Sequence, residues 1–291
     1  MVSRIVELFD FEKGTVLDGT VGQAGHALAI LESRPGLRLV GVDRDPQALE
    51  VARRRLQKFS DRVVLLHASF AELDRIREAA GEDFVAMLLD LGVSLDQLKA
   101  PDRGFSFQEP GPLDMRFDPS QQLTAYEVVN RWPERELERI FRDYGEERKA
   151  RAVAAAIVRA RQKKPIESTD ELARIVARVV RGGRRIHPAT RVFMAIRIAV
   201  NDELGHLERF LQRFPEFVAR GGRVAIISFH SLEDRLVKRR FVQLAREGFQ
   251  SGDEVRKFEL VFKKPVVPAA EEIAANPRAR SAKLRAIERA A

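Results

Sequence analysis

The stretch TVLDGTVGQAGH, residues 15–26, decides the fold of this chain. A short apolar run ends in Asp18, and Gly19, Gly22 and Gly25 follow it at a spacing of three. Glycines at such positions let the backbone turn sharply and approach a ligand closely. A strand, a glycine-rich turn and a helix, in that order, are typical of the first unit of a doubly wound α/β sheet.

Apolar runs of the buried parallel-strand type recur at 38–43, 62–66 and 84–90. Helical stretches at 24–33 and 46–59 lie between the first of these runs. Strands that alternate with helices predict βαβ units and a parallel sheet. The first ninety residues therefore predict a doubly wound α/β domain.

The pattern changes after residue 90. Residues 91–119 read as a loop rich in Gly, Pro and Asp, and residues 124–214 have a helical period throughout. Strand character returns at 222–229 and again near 257–262. We therefore predict an α/β domain interrupted by an inserted all-helical domain, and we expect the last residues to form a tail laid over the surface. The predicted boundaries are 1–105 and 215–291 for the α/β domain, 106–214 for the insert and 265–291 for the tail.

The composition is that of a globular protein, since 45% of the 291 residues are hydrophobic and 32% are charged. The start of the chain lacks the apolar run of a signal peptide. No stretch approaches the roughly 18 apolar residues of a membrane span. We therefore expect a cytoplasmic protein.

The chain contains no cysteine. This excludes disulfides, thiolate zinc sites and cysteine nucleophiles. The five histidines show no i, i+4 pairing, so the sequence predicts no metal site. Methylation of carbon 5 of a pyrimidine usually needs a thiolate that adds to the ring. If the protein methylates a nucleic-acid base, it cannot use this route. Direct methyl transfer to a nitrogen or an oxygen needs no covalent enzyme intermediate and therefore stays possible.

The formal net charge of +8 is unevenly distributed. Residues 148–191 contain thirteen Lys or Arg against three Asp or Glu, and residues 263–291 contain seven against three. Two basic segments on an otherwise acidic chain suggest a polyanionic partner. Solvated helix faces are the alternative explanation.

Two aspartates end the first two predicted strands. An acid at a strand end, followed by a glycine loop, fits the methyltransferase version of this fold, whose cofactor is adenosylmethionine. This cofactor has no pyrophosphate, and its ammonium and sulfonium groups favour a nearby carboxylate such as Asp18. Asp43 is placed to accept hydrogen bonds from ribose hydroxyls. The dinucleotide fingerprint G-x-G-x-x-G does not fit the loop, because two residues separate its first two glycines. The pattern favours a nucleoside cofactor, although a plain tight turn would also explain the glycines.

Two further candidates follow the next two strands. Phe70 is expected to pack against adenine, with ordinary core packing as the alternative. Asp90 ends the fourth strand, and the chemistry of this fold takes place at the carboxyl ends of the strands. A carboxylate at this position could simply cap the loop that follows, but its place at the strand end favours a role in the active site.

Six further segments stand out along the chain: LLDLGVS (88–94), DRGFSF (102–107), GPLDMR (111–116), VNDEL (200–204), ISFHSLEDR (227–235) and NPRARSAKLR (276–285). In this order they resemble the bacterial MraW/RsmH family. The resemblance spans nearly the whole chain and implies a class I (Rossmann-like) S-adenosylmethionine-dependent methyltransferase fold with an inserted helical domain. It also implies methyl transfer from S-adenosyl-L-methionine to the exocyclic amino nitrogen of a cytosine in 16S rRNA, near the decoding centre. The expected partner is 16S rRNA within the small ribosomal subunit.

The resemblance also implies cofactor contacts, which add to those expected from the strand ends. The family usually has glycines where this chain has Gln23 and Ala24, and an alanine fits there only if the position avoids positive φ. The family's His-x-Pro-Val opening is absent, since the chain starts Met1-Val2-Ser3. The expected cofactor contacts are Asp18, Gly22, Ala24, Gly25, His26, Asp43, Phe70, Asp90 and Gln97.

The candidate catalytic residues are Asp90, Ser94 and His230. A cytosine amino nitrogen is a poor nucleophile because its lone pair is delocalised into the ring. An acceptor for an amino proton, held beside the methyl donor, would restore its reactivity. His230 is predicted at the same sheet edge as Asp90, although local structural hydrogen bonding is its alternative role. Ser231 and Asp234 predict an S-x-x-D helix cap directly after it.

The target base must be unpaired or flipped to reach such a pocket. Two phenylalanines after the Asp90 loop are expected to stack on the base, with a hydrophobic anchor for the loop as the alternative. Arginines are expected to hold phosphates, although two of them have aspartates close in sequence with which to pair. The expected substrate contacts are Arg103, Phe105, Phe107, Arg116, Arg181, Arg184 and Arg185.

Three other functions compete with this hypothesis. The order of the six segments argues against a methyltransferase acting on protein or DNA. The glycine spacing argues against a nicotinamide oxidoreductase, and a cofactor titration would separate the two. A non-catalytic RNA-binding module would explain the basic segments, but it would not explain the glycine loop together with Asp43 and Asp90.

Overall fold

A computed structural model describes residues 1–180 and 187–290. The chain forms two compact units, of which the first comprises Met1–Gly92 with Leu204–Ala291 and the second Val93–Glu203. The elements up to residue 90 are α1 (Val2–Leu8), β1 (Gly14–Asp18), α2 (Gly25–Ser33), β2 (Leu37–Asp43), α3 (Pro46–Arg55), β3 (Val63–His67), α4 (Leu73–Ala80) and β4 (Phe84–Asp90). The next are α5 (Leu95–Lys99), α6 (Ala125–Arg131), α7 (Glu134–Asp143), α8 (Ala150–Arg161), α9 (Thr169–Val179) and α10 (Thr190–Asn201). The chain ends with α11 (Glu203–Arg213), β5 (Val218–Ser228), α12 (Ser231–Glu247), β6 (Phe249–Ser251), β7 (Glu254–Arg256), β8 (Phe258–Leu260), α13 (Ala270–Ala275) and β9 (Lys283–Arg289).

Seven strands of the first unit form one sheet in the order β3-β2-β1-β4-β5-β9-β8. β1 pairs in parallel with both β2 and β4, and β5 pairs in parallel with β4. β9 is antiparallel to both of its neighbours. The strand order reverses between β1 and β4, and this is the switch point at which doubly wound sheets bind their ligands.

Apolar side chains cover both faces of this sheet. Leu17 and Leu89 belong to the core on one face, while Val16 and Leu88 belong to the core on the other. Strands buried on both faces read as continuous apolar runs, which is why the four strands before residue 91 were predictable to within one residue at each end. Polar groups of these strands are therefore concentrated at the strand ends.

The prediction of a surface tail is wrong for residues 283–289. These residues form β9, which lies between β5 and β8. Leu284, Ala286 and Ile287 are buried, whereas Lys283, Arg285 and Glu288 are only partly buried. The alternation of charged and apolar residues in KLRA, at the start of this segment, is a signal of a strand, but the prolines before it favoured a loop.

The boundaries between the two units lie earlier in the chain than predicted at both ends. Residues 93–105 belong to the helical unit, where Phe105 packs into the core. Residues 204–214 belong to the α/β unit, because Leu207 and Phe210 on α11 pack into its core. Within residues 1–180 and 187–290, no helix has the length and apolarity needed to cross a membrane.

Candidate functional site

Three aspartates lie at the carboxyl ends of neighbouring strands in the first unit. Asp18 ends β1, Asp43 ends β2 and Asp90 ends β4. Because β1 lies between β2 and β4, the three carboxylates share one edge of the sheet. The structure thus brings together the three strand-end acids that the sequence singled out.

Hydrogen bonds fix the glycine loop at this edge. The Gly22 N–H donates to Asp43 Oδ2 at 2.8 Å, and the Thr20 N–H donates to Asp18 Oδ1 at 3.2 Å. The Asp90 N–H donates to Thr20 Oγ1 at 2.6 Å. Thr20 therefore connects the loop after β1 to the end of β4. The sequence analysis did not identify Thr20 as a connecting residue. The only sign of this role in the sequence is a hydroxyl side chain among the glycines of the loop.

Two positions of the loop have demanding backbone geometry. A Cβ at Gly19 would lie 2.3 Å from Leu89 Cδ2 and 2.9 Å from Phe70 Cβ, so any other residue here would force these side chains to move. Ala24 has a φ of 61°, so the expectation that an alanine fits this loop only at a position that avoids positive φ is wrong. This left-handed residue directly precedes α2, and its N–H donates to Val21 O at 2.6 Å. A non-glycine residue in this region of φ is strained, and such strain is often found at functional sites.

The start of α2 is open to a ligand. Ala24 is the N-cap residue and supplies no side-chain hydrogen bond to the first turn. An ideal Cβ at Gly25 would meet no atom of the described residues within 4 Å. Uncapped N–H groups at a helix start favour a negatively charged group.

The three carboxylates are hard to ionise. Burial, together with the smaller effects of the nearby Asp90 and Asp43 and against the hydrogen bond from Thr20, raises the pKa of Asp18 to about 7. Burial also raises the pKa of Asp90 to about 7, with a smaller contribution from Glu233. Burial raises the pKa of Asp43 as well, although its hydrogen bonds from Asp45 and Gly22 oppose this. A cationic ligand at this edge would stabilise the ionised forms.

His26 and Asp90 are partly buried neighbours, and each has one buried atom with unused hydrogen-bonding capacity. His26 Nδ1 lies 3.7 Å from Asp90 Oδ2, and burial lowers the pKa of His26 to about 4, so the imidazole is neutral at pH 7. Asp90 Oδ1 and His26 Nε2 are buried and have no hydrogen-bond partner within the described residues. Buried polar atoms are rarely left without partners, which indicates that a ligand completes this site.

These observations fit S-adenosylmethionine. The three aspartates match its cationic groups, and the uncapped start of α2 matches its carboxylate. The buried atoms of His26 and Asp90 can form hydrogen bonds with its polar groups. Asp43 Oδ1 and Oδ2 each accept one backbone N–H, and a carboxylate oxygen can accept a second donor such as a ribose hydroxyl.

Phe70 lies just beyond β3 and is held by residues of α11. Its ring packs edge-on against Phe210 at 5.9 Å and against His206 at 6.4 Å. His206 Nδ1 is in turn 2.7 Å from Ser69 Oγ. Phe70 is only partly buried, so packing in the core leaves part of the ring accessible to a ligand.

His230 immediately precedes α12, whose cap differs from the prediction. Glu233, rather than Asp234, caps this helix, because its Oε2 accepts the N–H groups of Phe229 at 2.9 Å and His230 at 3.3 Å. His230 Nε2 lies 3.1 Å from Glu233 Oε1 without the alignment of a hydrogen bond, and Nδ1 has no partner within the described chain. Asp234 is instead engaged by Lys283 and Arg285.

Ser94 and Gln97 belong to the second unit, where they form a capping box at the start of α5. The Ser94 N–H donates to Gln97 Oε1 at 2.9 Å, and the Gln97 N–H donates to Ser94 Oγ at 3.1 Å. Both side chains therefore have a local structural role. Their expected contacts to substrate and cofactor stay predictions.

The loop after α5 holds most of its expected substrate contacts in its own structure. The Arg103 guanidinium is buried and donates to the carbonyl oxygens of Arg116 and Phe117 at 3.0 and 3.1 Å, so its expected phosphate contact is wrong. Phe105 is also buried and stacks on Phe117 at 5.4 Å, which excludes stacking on a base. Arg116 forms a two-point ion pair with Asp114.

Phe107 is only partly buried, against Phe193 at 4.8 Å and His187 at 4.5 Å. Its ring remains a candidate for base stacking. The other expected substrate contacts, Arg181, Arg184 and Arg185, lie outside the described residues.

Comparisons with known proteins agree over the whole chain. The sequence profile of the MraW methylase family matches residues 1–290. A ribosomal RNA small subunit methyltransferase H from Thermobifida fusca (strain YX) is 46% identical, over 99% of this chain and 92% of its own length. A protein of the same name from Pseudothermotoga lettingae is 45% identical, over 99% of this chain and 97% of its own length.

A solved rRNA methylase from Streptococcus thermophilus covers 100% of this chain and 94% of its own, with a TM-score of 0.46 and 11% sequence identity. That likeness is too distant to bear on function. The profile and the relatives, by contrast, span almost every residue of the α/β unit and of the helical unit. The seven-stranded, mostly parallel sheet is that of a class I S-adenosylmethionine-dependent methyltransferase, and the chain belongs to the MraW methylase family.

Proposed function

We propose that this protein transfers a methyl group from S-adenosyl-L-methionine to the exocyclic amino nitrogen of a cytosine in 16S rRNA, near the decoding centre. The observation that carries the proposal is the sheet edge where Asp18, Asp43 and Asp90 meet and where buried atoms of Asp90 and His26 have no partner within the described residues. The names of the relatives supply the small-subunit rRNA as substrate.

The edge residues divide the recognition of the cofactor among them. Asp18 would hold its cationic part, Asp43 would accept hydrogen bonds from its ribose hydroxyls, and Phe70 would pack against its adenine. The open start of α2 at Gly25 and His26 would receive its carboxylate. The bound cofactor supplies an electrophilic methyl group carried on a sulfonium.

Asp90 is proposed as the acceptor of the amino proton. Methylation of the amino nitrogen requires that this nitrogen lose one proton. A carboxyl with a pKa of about 7 is ionised in a large fraction of molecules near neutral pH and can take this proton at Oδ1. The neutral His26 lies beside this carboxylate, with Nδ1 3.7 Å from Oδ2.

His230, Ser94 and Gln97 are proposed as further contacts to substrate or cofactor. His230 offers a buried Nδ1 without a partner in the described chain, and its position is set by Glu233 at the start of α12. Phe107 is proposed to stack on the target base or on a neighbouring one.

The second unit is proposed to hold the RNA by phosphate contacts. Arg148, Arg151 and Arg178 are exposed, and no ion pair engages them within the described residues. The Lys149 ammonium donates to Val179 O at 3.1 Å, which places the start of α8 against the end of α9 and so brings these cations to one end of the helix pair. Arg181, Arg184 and Arg185 follow directly in the sequence.

Nucleoside mass spectrometry of small-subunit rRNA tests the proposal. RNA from cells lacking the gene, treated with purified protein and cofactor, should gain N4-methylcytidine. It should gain no 5-methylcytidine, because the chain has no cysteine to activate the ring carbon. An Asp90→Asn variant should bind RNA but show a slower single-turnover rate at saturating cofactor. A carbon-methylated main product would overturn the mechanism.

A further inference from the structure

We propose that Arg278, Arg280 and Lys283 form a second phosphate-binding surface, located on the α/β unit itself, that holds the RNA strand next to the target base. We call it the β9 corner. The inference rests on the proposed function, which it deepens by naming where the backbone of the substrate is held.

The sheet register places the β9 corner at the same edge as the candidate catalytic groups. Lys283, the first residue of β9, pairs with Ser228, the last residue of β5, and β9 is antiparallel to β5. β5 in turn pairs in parallel with β4, with Ile227 opposite Asp90. A 3-10 helix, Pro277–Ser281, leads into β9 at this end.

Ion pairs tie the corner to the start of α12. Asp234 accepts Lys283 Nζ at 3.1 Å and Arg285 Nε at 2.7 Å. Asp234 directly follows Glu233, the residue that caps α12 and sits 3.1 Å from His230 Nε2. Two carboxylates, Asp234 and Glu233, lie beside the two cations Lys283 and Arg285, so a positive charge at this corner depends on further cations.

Arg278 and Arg280 add charge that the described residues do not neutralise. Both are exposed, and neither has an ion pair or a side-chain hydrogen bond within residues 1–180 and 187–290. Asn276 accepts the Arg278 backbone N–H at 3.3 Å and so caps the 3-10 helix that presents both side chains. The acidic residues of this part of the chain are Glu271 and Glu272 on α13.

The charge of the catalytic edge explains why an RNA substrate needs this corner. Asp18, Asp43, Asp90 and Glu233 are partly or fully buried, and in their ionised forms they repel a phosphate, whereas an uncharged base is admitted. The phosphates that flank the base then have to be held outside the edge by cations. Exposed arginine guanidinium groups suit phosphate oxygens because they bind them with two parallel hydrogen bonds.

The test compares two double variants with the same change of charge. Arg278→Gln with Arg280→Gln neutralises the corner. Lys13→Gln with Arg54→Gln is the matched control, because both residues are exposed, lack ion pairs within the described chain and lie at the opposite edge of the sheet. Lys13 precedes the start of β1, and Arg54 is in the last turn of α3, which leads back towards the start of β3.

Small-subunit rRNA binding and methylation are measured for the intact proteins at several salt concentrations. The corner variant should bind roughly tenfold more weakly, and the slope of log affinity against log salt should fall by about 0.7 to 0.9 for each lost phosphate contact. The Michaelis constant for RNA should rise while kcat and the affinity for adenosylmethionine stay unchanged. The control variant should match the unmodified protein.

Each outcome has a distinct meaning. Equal RNA affinity and equal salt slopes for the corner variant and its control would overturn the inference and leave the proposed function standing. Equal losses in both variants would assign the effect to total charge and also overturn it. Failure of the unmodified protein to methylate small-subunit rRNA would overturn the proposed function and the inference with it.

Discussion

Asp18 is a buried carboxyl whose ionisation opposes folding. Burial raises its pKa to about 7 in the folded chain, whereas an unfolded chain has an aspartate pKa near 3.9. Between these values the folded form holds a proton that the unfolded form has released, so the free energy of unfolding falls as the pH rises from about 4 to about 7. Above that window the full destabilisation is present. A cationic ligand beside the carboxylate would offset it.

Asp18→Asn should therefore stabilise the protein without ligand and weaken cofactor binding. At pH 8 the free energy of unfolding should rise by at least about 1 kcal/mol, because one unit of pKa shift corresponds to about 1.4 kcal/mol. The Asn oxygen can still accept the Thr20 N–H, so the loop is preserved. Thermal unfolding at pH 5 and pH 8, together with calorimetric titration of adenosylmethionine, checks both parts. A variant that is less stable at pH 8 would contradict this account.

Asp43→Ala should weaken binding of the cofactor by roughly 1–3 kcal/mol, because ribose hydroxyls lose their acceptor. The variant also removes the acceptor of the Gly22 and Asp45 N–H groups, so the loop itself changes. Titration of adenosylhomocysteine and of its 2′,3′-dideoxy analogue separates the two effects. The unmodified protein should prefer the hydroxylated ligand, and the variant should not. An unchanged preference would remove Asp43 from the ribose site.

The sequence predicted residues whose role follows from their place on a strand, and it failed where the role depends on tertiary partners. Asp18, Asp43 and Asp90 could be placed at one edge, because parallel strands carry their carboxyl ends to the same side. Arg103 and Phe105 could not be separated from true surface residues, because their burial depends on the carbonyl groups and the ring of a loop more than ten residues away. The backbone of Ala24 was likewise invisible, since sequence does not report φ.

At the scale of elements, periodicity identified the central strands but missed the antiparallel strand that completes the sheet. β9 carries four charged residues among its seven and follows several prolines, so its sequence resembles an exposed segment. Its partners β5 and β8 become recognisable only when the sheet is assembled. The start of α12 shows the same limit. The sequence predicted Asp234 in the cap, but Asp234 pairs with two cations of β9, and Glu233 accepts the N–H of His230 instead.

Ile287→Ala tests the position of β9 inside the sheet. Ile287 is 0% exposed, so its truncation should lower the free energy of unfolding by about 2–5 kcal/mol. Val267→Ala is the control in the same part of the chain, since Val267 is 61% exposed and its truncation should cost less than about 0.5 kcal/mol. Denaturant unfolding of both variants measures the difference. If both variants lost only a small and similar part of the free energy of unfolding, residues 283–289 would not form a buried strand.

At the scale of the whole molecule, the charge pattern is the feature that connects the chain to its proposed substrate. The net charge of +8 conceals an acidic remainder and two basic segments. Phosphate contacts position an RNA without reading its sequence, and salt screens them. Affinity for RNA should therefore depend on salt while affinity for the cofactor should not.

Neutralising Arg148, Arg151 and Arg178 to glutamine should weaken binding to small-subunit rRNA and flatten its salt dependence. Each lost phosphate contact should lower the slope of log affinity against log salt by roughly 0.7 to 0.9. The same design applies to Arg181, Arg184 and Arg185, for which the expectation rests on sequence. Filter binding at several salt concentrations provides the slopes, and calorimetry should show an unchanged affinity for adenosylmethionine. Unaltered slopes would mean that these arginines only solvate helix surfaces.

The pairing of β4 with β5 has a consequence for how the chain matures during synthesis. β4 ends at Asp90, but its neighbour β5 begins only at Val218, after the whole helical unit. While those intervening residues leave the ribosome, the nascent sheet would have an unpaired and strongly apolar edge, the kind of surface on which chains aggregate. The helical unit, being one continuous stretch, can fold by itself in that interval. We therefore expect nascent chains that stop before residue 218 to contain a protected helical unit beside a protease-sensitive first half.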